Sequence, residues 1–346
     1  MSDSKQRFLV IRLSSIGDIV HALPAVSALG RTYPQAEIHW VVETRYAGLL
    51  EGNPYVRSVL KLDTLGWRRR VGSPATVEEA LRGVLALRES SYDAAIDFQG
   101  LWKSAFIAWL SRARERLGLA EYWLREPGAA VFYTERVSPR GRTHVIDQYL
   151  ALAERLGARD DQREFPLPRA AEDDLYVDRQ LALLGAQEFI IVNPGGGWKA
   201  KRWAPENYAE LIHALETRLP WKILVTGSED EQTLILEILD RAGTQRALYL
   251  ATTLLQFITL ARRAKLLVGG DTGPLHLAAA VGTPLVAIYG PTDPARNGPF
   301  SKSDIALSGS GPIDHTRRAA NPAYITGVSV ESAVRSVEER LARVHG

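Results

Sequence analysis

Residues able to bind phosphate and sugar follow an apolar run in the last third of the chain. The run ends in two glycines and is followed by Asp271, Thr272, Gly273 and, about one helical turn later, His276. This order predicts a buried strand that turns into a helix whose first backbone amides have no partner. Such amides, at the positive end of the helix dipole, form a seat for phosphate. The first hypothesis is a nucleotide-linked substrate, although for any single histidine a structural role is the commoner one.

A second candidate phosphate loop follows an earlier apolar run. Gly195, Gly196 and Gly197 come just after it, and Lys201 lies among the cations that follow. Glycines at a strand end let an anion approach the backbone amides; the alternative is a basic surface loop. Beyond the next strand, Glu231 belongs to an acidic first helical turn. Its carboxylate is a candidate to bind ribose hydroxyls, or it is simply favoured there by the helix dipole.

In the first half, Asp18 ends the segment Ser14-Ser15-Ile16-Gly17-Asp18, which directly follows the first apolar run. This places the carboxylate at the carboxyl edge of a predicted parallel sheet, where open α/β folds bind ligands. The alternative is a helix-capping aspartate. A single glycine here is not the three-glycine dinucleotide fingerprint, which argues against a dinucleotide oxidoreductase.

Basic residues cluster in the first half together with tryptophans. The members are Arg68, Arg69, Arg70, Lys103, Arg112, Arg114, Arg116, Arg125, Arg136, Arg140 and Arg142, with Trp67, Trp102, Trp109 and Trp123. Most such cations are only solvated, but the combination with aromatic rings suits an anionic, amphipathic partner at a membrane surface. We place 67–70 in a loop.

Composition narrows the class of protein. The 346 residues suit two domains, and the absence of cysteine excludes disulfides, zinc–thiolate sites and thiol catalysis. A net charge of +2 gives no support to nucleic-acid binding. No segment predicts a signal peptide or a membrane span.

Short apolar runs alternate with amphipathic segments, which predicts an α/β protein with parallel sheets covered by helices. Predicted strands are 8–13, 38–42, 56–62, 94–97, 189–193, 222–226, 248–250, 266–269 and 285–289. Predicted helices are 19–33, 76–89, 101–111, 144–156, 173–184, 205–218, 229–242, 254–263, 275–281 and 330–344. Residues 301–326 are expected to be irregular. The expected domains are 1–165 and 187–327, joined by a linker and helix at 166–186, with a final helix in 328–346 as a candidate to pack back on the first domain.

Together, these segments resemble the bacterial heptosyltransferases of lipopolysaccharide core synthesis, which are inverting, ADP-heptose-dependent enzymes of the GT-B fold. The resemblance runs from Phe8 to about Pro299 and is carried in order by segments 14–18, 201–203, 271–273 with His276, and 289–294. Segments 97–104 and 125–133 resemble the type I enzymes in particular. The resemblance implies two Rossmann-like domains with parallel sheets facing a central cleft, the first binding the acceptor and the second the ADP-sugar.

The resemblance also implies roles for individual residues. Asp18 corresponds to the general base, and Lys201 to the lysine that contacts the donor phosphate. The residues expected to bind the donor are Gly195, Gly196, Gly197, Lys201, Glu231, Asp271, Thr272, Gly273 and His276. Those expected to bind the acceptor are Ser15, Gly17, Arg68, Arg69, Arg70, Gln99, Lys103 and Arg125. No metal, other cofactor, nucleic acid or obligate protein partner is expected.

The implied activity is transfer of L-glycero-D-manno-heptose from ADP-heptose to a Kdo-lipid A acceptor, by a protein held peripherally on the cytoplasmic face of the inner membrane. The alternatives are another GT-B nucleotide-sugar transferase or epimerase, and a type II or III heptosyltransferase acting on a heptosylated core. A non-catalytic nucleotide-binding module is a further alternative.

Overall fold

A computed structural model describes residues 5–70, 73–159, 162–311, 313 and 325–345. The chain divides into two compact units, Met1–Pro168 and Arg169–Gly346. Among the described residues, no helix is both long enough and apolar enough to cross a bilayer.

The described part of the first unit contains a six-stranded parallel sheet covered by helices. In chain order its elements are β1 (Arg7–Ile11), α1 (Ile16–Thr32), β2 (Glu37–Glu43), β3 (Val56–Leu62), α2 (Thr64–Arg69), α3 (Pro74–Glu89), β4 (Ala94–Asp97), α4 (Trp102–Leu110), β5 (Glu115–Leu119), β6 (Glu135–Val137) and α5 (Val145–Arg155). The strand order is β3-β2-β1-β4-β5-β6, with every pair parallel. The order therefore reverses between β1 and β4, which is the switch point where such sheets bind ligands.

The second unit repeats this topology within its described residues. Its elements are α6 (Ala171–Leu184), β7 (Phe189–Asn193), α7 (Pro205–Arg218), β8 (Lys222–Gly227), α8 (Gln232–Ala242), β9 (Ala247–Ala251), α9 (Leu254–Ala261), β10 (Leu267–Gly270), α10 (Gly273–Ala280), β11 (Leu285–Tyr289), α11 (Pro294–Asn297), β12 (Ile305–Ser308) and α12 (Val330–His345). The parallel strands lie in the order β12-β11-β10-β7-β8-β9. The switch point here is between β7 and β10.

Helices cover both faces of each sheet, so the side chains on both faces of the central strands are buried and apolar, and the sequence of these strands does not alternate between apolar and polar residues. Along β1, Leu9, Val10 and Ile11 are all fully buried, and β11 is buried throughout. This continuous burial is what the apolar runs predicted.

Three strands and two helices differ from the sequence-based expectation, and the short α11 is one of those helices. β5, β6 and β12 were not predicted, and β12 shows that the expectation of an irregular 301–326 was wrong for part of that range. The prediction of a loop at 67–70 was also wrong, because Thr64–Arg69 forms α2. The side chain of Asp63 caps this helix by accepting a hydrogen bond from the backbone amide of Gly66.

The final helix packs within its own unit. α12 lies against α7, β11 and β12, and its Arg340 Nε donates to Asp304 Oδ1 at 2.9 Å, with both side chains nearly buried. Whether it also packs on the first unit stays a prediction.

Candidate functional site

Asp18 lies in the first turn of α1, just beyond the carboxyl end of β1. Its Oδ2 accepts hydrogen bonds from the backbone N of Ser15 at 3.0 Å and from Ser15 Oγ at 2.9 Å. These contacts belong to a capping box, so the structural role considered from the sequence is present. The Asp18 side chain is nevertheless 39% exposed, which leaves its carboxylate able to accept a further hydrogen bond from a ligand.

Arg12 is a buried cation that sequence reasoning missed. Its Nη2 lies 2.5 Å from Asp18 Oδ1 and its side chain is 7% exposed, while Nη1 donates to the backbone O of Phe98 at 2.6 Å. Burial raises the pKa of Asp18, but the Arg12 charge and the Ser15 hydrogen bonds outweigh burial and hold that pKa below its usual range. Asp18 is therefore a carboxylate at neutral pH. The available signal was a lone arginine at the end of an apolar run.

A buried carboxylate organises the other side of this switch point. Asp97, at the end of β4, accepts hydrogen bonds from Ser104 Oγ at 2.8 Å, from the Tyr133 hydroxyl at 2.7 Å and from the backbone N of Gln99 at 2.8 Å. The side chain of Gln99 in turn accepts from the backbone N of Leu13 at 2.8 Å. The Gln99 side chain thus ties the end of β4 to the end of β1, close to Asp18.

Lys103 pairs with a second acid that the sequence analysis did not single out. Glu43, at the end of β2, is buried, and its Oε1 lies 3.8 Å from Lys103 Nζ. Thr64 bonds to the same carboxylate through its hydroxyl and its backbone amide. Lys103 is half-buried, so its charge both neutralises Glu43 and remains accessible from the carboxyl edge of the sheet.

The predicted acceptor arginines are only partly described. The side chains of Arg68 and Arg69 lie outside the described residues, although both belong to α2. Arg70 is exposed and lies 3.3 Å from Asp63 and 3.4 Å from Glu79. Arg125 is exposed. Nothing in these contacts brings Arg70 or Arg125 to Asp18, so their acceptor role stays a prediction.

In the second unit, the glycine loop after β7 closes on Glu231. Glu231 Oε1 accepts from the backbone N of Gly196 at 2.7 Å, and Oε2 accepts from Ser228 N at 2.9 Å. A side chain at Gly195 would place its Cβ 2.3 Å from Glu231 Oε1, so it would displace the Glu231 carboxylate from this position. The loop and the acid that the sequence assigned separately to a donor site therefore lie together.

Asp271 is the centre of a polar cluster just beyond β10. Its Oδ2 accepts from Lys201 Nζ at 2.5 Å and from Thr292 Oγ1 at 2.7 Å, and its Oδ1 lies 3.0 Å from His276 Nε2. Burial raises the pKa of Asp271, but His276 and Lys201 outweigh it and hold that pKa below the usual range. The cluster fixes the Lys201 ammonium, whose side chain is 17% exposed, at the carboxyl edge of the sheet.

Lys201 is also held by the backbone that follows it. It ends a short 3-10 helix, and Trp203, two residues on, is buried with its Nε1 donating to the backbone O of Val328 at 3.0 Å. The Trp203 ring packs edge-on against Tyr208. The tryptophan of the Lys-Arg-Trp segment is therefore an anchor for the lysine loop.

The helix predicted as a phosphate seat begins as expected. α10 starts at Gly273 with Thr272 as the N-cap residue, and within the described structure no side chain caps it. Thr272 Oγ1 instead donates to Asn193 Oδ1 at 3.4 Å. A Cβ built at Gly196 would lie 3.2 Å from Thr272 Cγ2. The open helix start thus lies beside the glycine loop.

Two clusters result, one at the switch point of each unit. The first contains Asp18, Gln99 and the ends of β1 and β4; the second contains Lys201, Asp271 and the start of α10. Sequence reasoning missed Arg12 and Glu43; Asn193 and Thr292 lie in segments that it singled out, but it gave them no role of their own. Within the described ranges, no group of three or more histidines and acids is placed to hold a metal ion.

Comparison with known proteins defines the class. The profile of glycosyltransferase family 9 (heptosyltransferase) matches residues 81–323. Lipopolysaccharide heptosyltransferase 1 of Pseudomonas aeruginosa is 31% identical over 320 residues, which cover 88% of this chain and 84% of that protein.

Solved structures show the same architecture. The family 9 glycosyl transferase from Veillonella parvula has a TM-score of 0.84 at 22% identity, covering 99% of each chain. The Escherichia coli heptosyltransferase WaaC, solved with ADP, has a TM-score of 0.78 at 24% identity, covering 97% of this chain and 100% of that one.

Two Rossmann-like units with these neighbours are the architecture of a GT-B glycosyltransferase, so the predicted fold class is confirmed. The chain belongs to glycosyltransferase family 9, the heptosyltransferases. The recognition made from the motifs and the prediction of a transferase enzyme are therefore confirmed. The roles of individual residues stay predictions.

Proposed function

We propose that this protein transfers L-glycero-D-manno-heptose from ADP-heptose to a Kdo-lipid A acceptor in lipopolysaccharide inner-core synthesis, with inversion and without a metal. The observation that carries the proposal is the Lys201–Asp271 pair, fixed beside a glycine loop and an open helix start in a chain of this family. The relatives' names support the heptose and the lipopolysaccharide, and the E. coli structure with ADP supports the nucleotide.

The second unit is proposed to hold the donor. A diphosphate at the start of α10 meets the backbone amides that follow Thr272 and the Lys201 ammonium, both of which favour negative charge. Asp271 acts through Lys201 and His276, because its own oxygens already accept hydrogen bonds within the protein. The loop 195–197 is proposed to enclose the phosphates, and Glu231, which contacts that loop, is proposed to bind the ribose.

Asp18 is proposed as the general base. It takes the proton from an acceptor hydroxyl, whose oxygen forms a bond to the anomeric carbon of the heptose on the face opposite ADP. The bond from that carbon to the diphosphate breaks, and ADP leaves with the electron pair, so one displacement inverts the centre. General-base help of this kind is worth roughly 10²–10⁴-fold.

A carboxylate with a lowered pKa is sufficient for this reaction. The anomeric carbon is cation-like when the hydroxyl bonds to it, so the hydroxyl becomes acidic late in the step and a weak base can accept its proton. The departing diphosphate gains negative charge, and Lys201 with the α10 amides is aimed at it as an oxyanion hole would be. The pairing of Arg12 with Asp18 keeps the base ionised over the whole neutral range.

The first unit is proposed to bind the acceptor. Ser15 and Gly17 flank Asp18 in sequence, Gln99 follows β4, and Lys103 in the first turn of α4 reaches Glu43 at the end of β2. The cations Lys103, Arg125 and Arg68–Arg70 suit an acceptor that carries acidic sugars and phosphates. Since that acceptor is a membrane lipid, the protein is expected to work peripherally at the cytoplasmic face of the inner membrane.

The test is a panel of ADP-, UDP- and GDP-sugars incubated with a Kdo-bearing lipid A acceptor, with nucleotide release as the readout. The proposal predicts release from ADP-heptose that depends on the acceptor. Conversion of a nucleotide sugar without acceptor would instead indicate an epimerase. Release only with a heptosylated core would indicate a type II or III acceptor. Binding of ADP with no release would indicate a non-catalytic module.

A further inference from the structure

Helix α4 buries one face and leaves the aromatic side chains of its other face exposed. Ala105 and Ala108 are buried, whereas Trp102, Phe106 and Trp109 are 50%, 44% and 49% exposed. The three exposed residues are four and three positions apart, so they share one face of the helix.

This exposed face is extended by the turn that precedes β6. Val131 is 66% exposed, and the ring of Phe132 lies 5.9 Å from that of Trp102 and 5.8 Å from that of Phe106. Phe106 also stacks on Trp109, with ring centroids 5.5 Å apart. We call these five residues the α4 aromatic patch. The rings hold one another in place, so the patch is assembled before any partner binds.

Arginines surround the Trp109 end of the patch. Arg88, Arg112 and Arg116 line, together with Trp109, a surface cavity of about 370 Å³, which lies within the usual size of small-molecule sites, ~300–1,000 Å³. Arg116 Nε donates to the backbone O of Phe132 at 2.8 Å, which fixes its guanidinium beside the patch.

Among the described residues, no acid forms an ion pair with Arg88, Arg112 or Arg116, whereas the adjacent Arg114 lies 3.5 Å from Asp93. The cavity therefore offers three cations, beside exposed indole and phenyl rings, to an anion from outside the protein.

Arg112 adds an independent observation. It has a φ of +56°, a left-handed conformation that favours glycine, at the turn that ends α4. Glycine would adopt this turn without strain, yet the chain has an arginine here, exposed and in the cavity wall. A strained residue whose side chain is unused by the fold points to a role for that side chain.

We propose that the α4 aromatic patch and the cavity of Arg88, Arg112 and Arg116 form a docking surface for an anionic phospholipid bilayer. Tryptophan and phenylalanine rings insert at the boundary between headgroups and acyl chains, and the arginines bind lipid phosphates. The inference deepens the proposed function, since it specifies the surface that meets the membrane. It also gives the protein an orientation on the bilayer, because Trp102 of the patch directly precedes Lys103, which is expected to bind the acceptor.

The experiment is flotation of the full chain with vesicles of phosphatidylethanolamine, with and without phosphatidylglycerol. The wild type should float with the anionic vesicles and less with the neutral ones, and the difference should shrink in high salt. Trp109→Ala should lower binding to both vesicle types. Arg112→Gly should lower binding to the anionic vesicles roughly fivefold, the expected effect of one cation near such a surface.

Arg112→Gly separates a binding role from a structural one. Because glycine relieves the strain of the left-handed conformation, the melting temperature of this variant should equal or exceed that of the wild type, while its vesicle binding falls. Matched controls in the second unit are Leu183→Ala, an exposed apolar residue, and Arg179→Gln, an exposed arginine without an ion pair among the described residues. Both should bind vesicles as the wild type does.

Vesicle binding needs neither donor nor acceptor, so it is independent of the proposed reaction. Equal flotation of wild type, Trp109→Ala and Arg112→Gly would overturn the docking surface, as would no flotation of the wild type. A wild-type dimer that Trp109→Ala converts to a monomer, without vesicle binding, would assign the patch to a second copy instead. Loss of turnover by the variants on a water-soluble acceptor fragment would also overturn the inference, because the patch would then serve the acceptor itself.

Discussion

Replacement of Arg12 with glutamine tests what keeps Asp18 ionised. Arg12 Nη2 lies 2.5 Å from Asp18 Oδ1; the arginine side chain is 7% exposed and the aspartate 39%. Two unit charges about 4 Å apart interact by about 4 kcal/mol at an effective dielectric constant near 20 and by about 1 kcal/mol in water. Because Asp18 is more than a third exposed, solvent screening reduces the expected value to about 2 kcal/mol, which corresponds to roughly 1.5 pKa units.

The pH dependence of kcat/KM for ADP release is the assay, since it reports the ionisation of the free enzyme. In the wild type, the lowered pKa of Asp18 places its acid limb below about pH 4. Arg12→Gln should move that limb up by roughly 1.5 pH units. Arg12→Lys keeps the charge and is the matched control, with its limb near the wild-type position.

The same pair makes a prediction about stability. A carboxylate whose pKa is lowered by folding stabilises the folded state above its unfolded pKa, near 3.9, and this contribution is lost as the pH falls through the folded value. The difference in the free energy of unfolding between wild type and Arg12→Gln should therefore be largest at neutral pH and shrink in acid. Coincident acid limbs for wild type and Arg12→Gln, in a folded and active variant, would refute the reasoning.

Two further changes test the other cluster and the framework of the first. Lys201→Ala should weaken ADP-heptose binding and lower kcat by roughly 10²–10³-fold, the usual loss of one charge-stabilising donor. Lys222→Ala, at the amino end of β8, is the control. Unchanged donor affinity in Lys201→Ala would contradict the phosphate-binding role of Lys201. Tyr133→Phe deletes a hydrogen bond to the buried Asp97 carboxylate and should lower the free energy of unfolding by about 1.5–3 kcal/mol. A denaturant titration would measure it, and a loss under about 0.5 kcal/mol would mean that the other donors to Asp97 compensate.

Most of the fold was predictable because both sheets are parallel and covered on both faces. Their central strands are continuous apolar runs, as in β4, β7 and β11, whose predicted bounds agree with the structure. The missed strands lie at or next to sheet edges and are short or polar. β6 has only three residues, and β12 alternates between half-buried and exposed positions. Edge strands have one neighbour and less burial, so the hydrophobic signal is weak.

The candidate sites were predictable as far as strand ends could be located. Asp18, Asp271 and the glycine loop each follow an apolar run, so their position at the carboxyl edge followed from topology. The residues that pair with these groups could not be predicted from topology. Arg12 directly precedes the 14–18 segment but belongs to no motif, and Glu43 ends a strand without one; their pairing with Asp18 and Lys103 depends on how the chain packs. Sequence spacing gives no signal for such contacts.

The central claim is that Asp18 removes the proton from the acceptor, and Asp18→Asn tests it most directly. The substitution keeps the shape of the side chain and an oxygen able to accept from Ser15, but it removes the base. Turnover of ADP-heptose with acceptor should fall by roughly 10²–10⁴-fold, while ADP affinity, measured by calorimetry on protein shown to be folded by its melting curve, should be unchanged. Near-normal turnover in this variant, with ADP bound as in the wild type, would contradict the account.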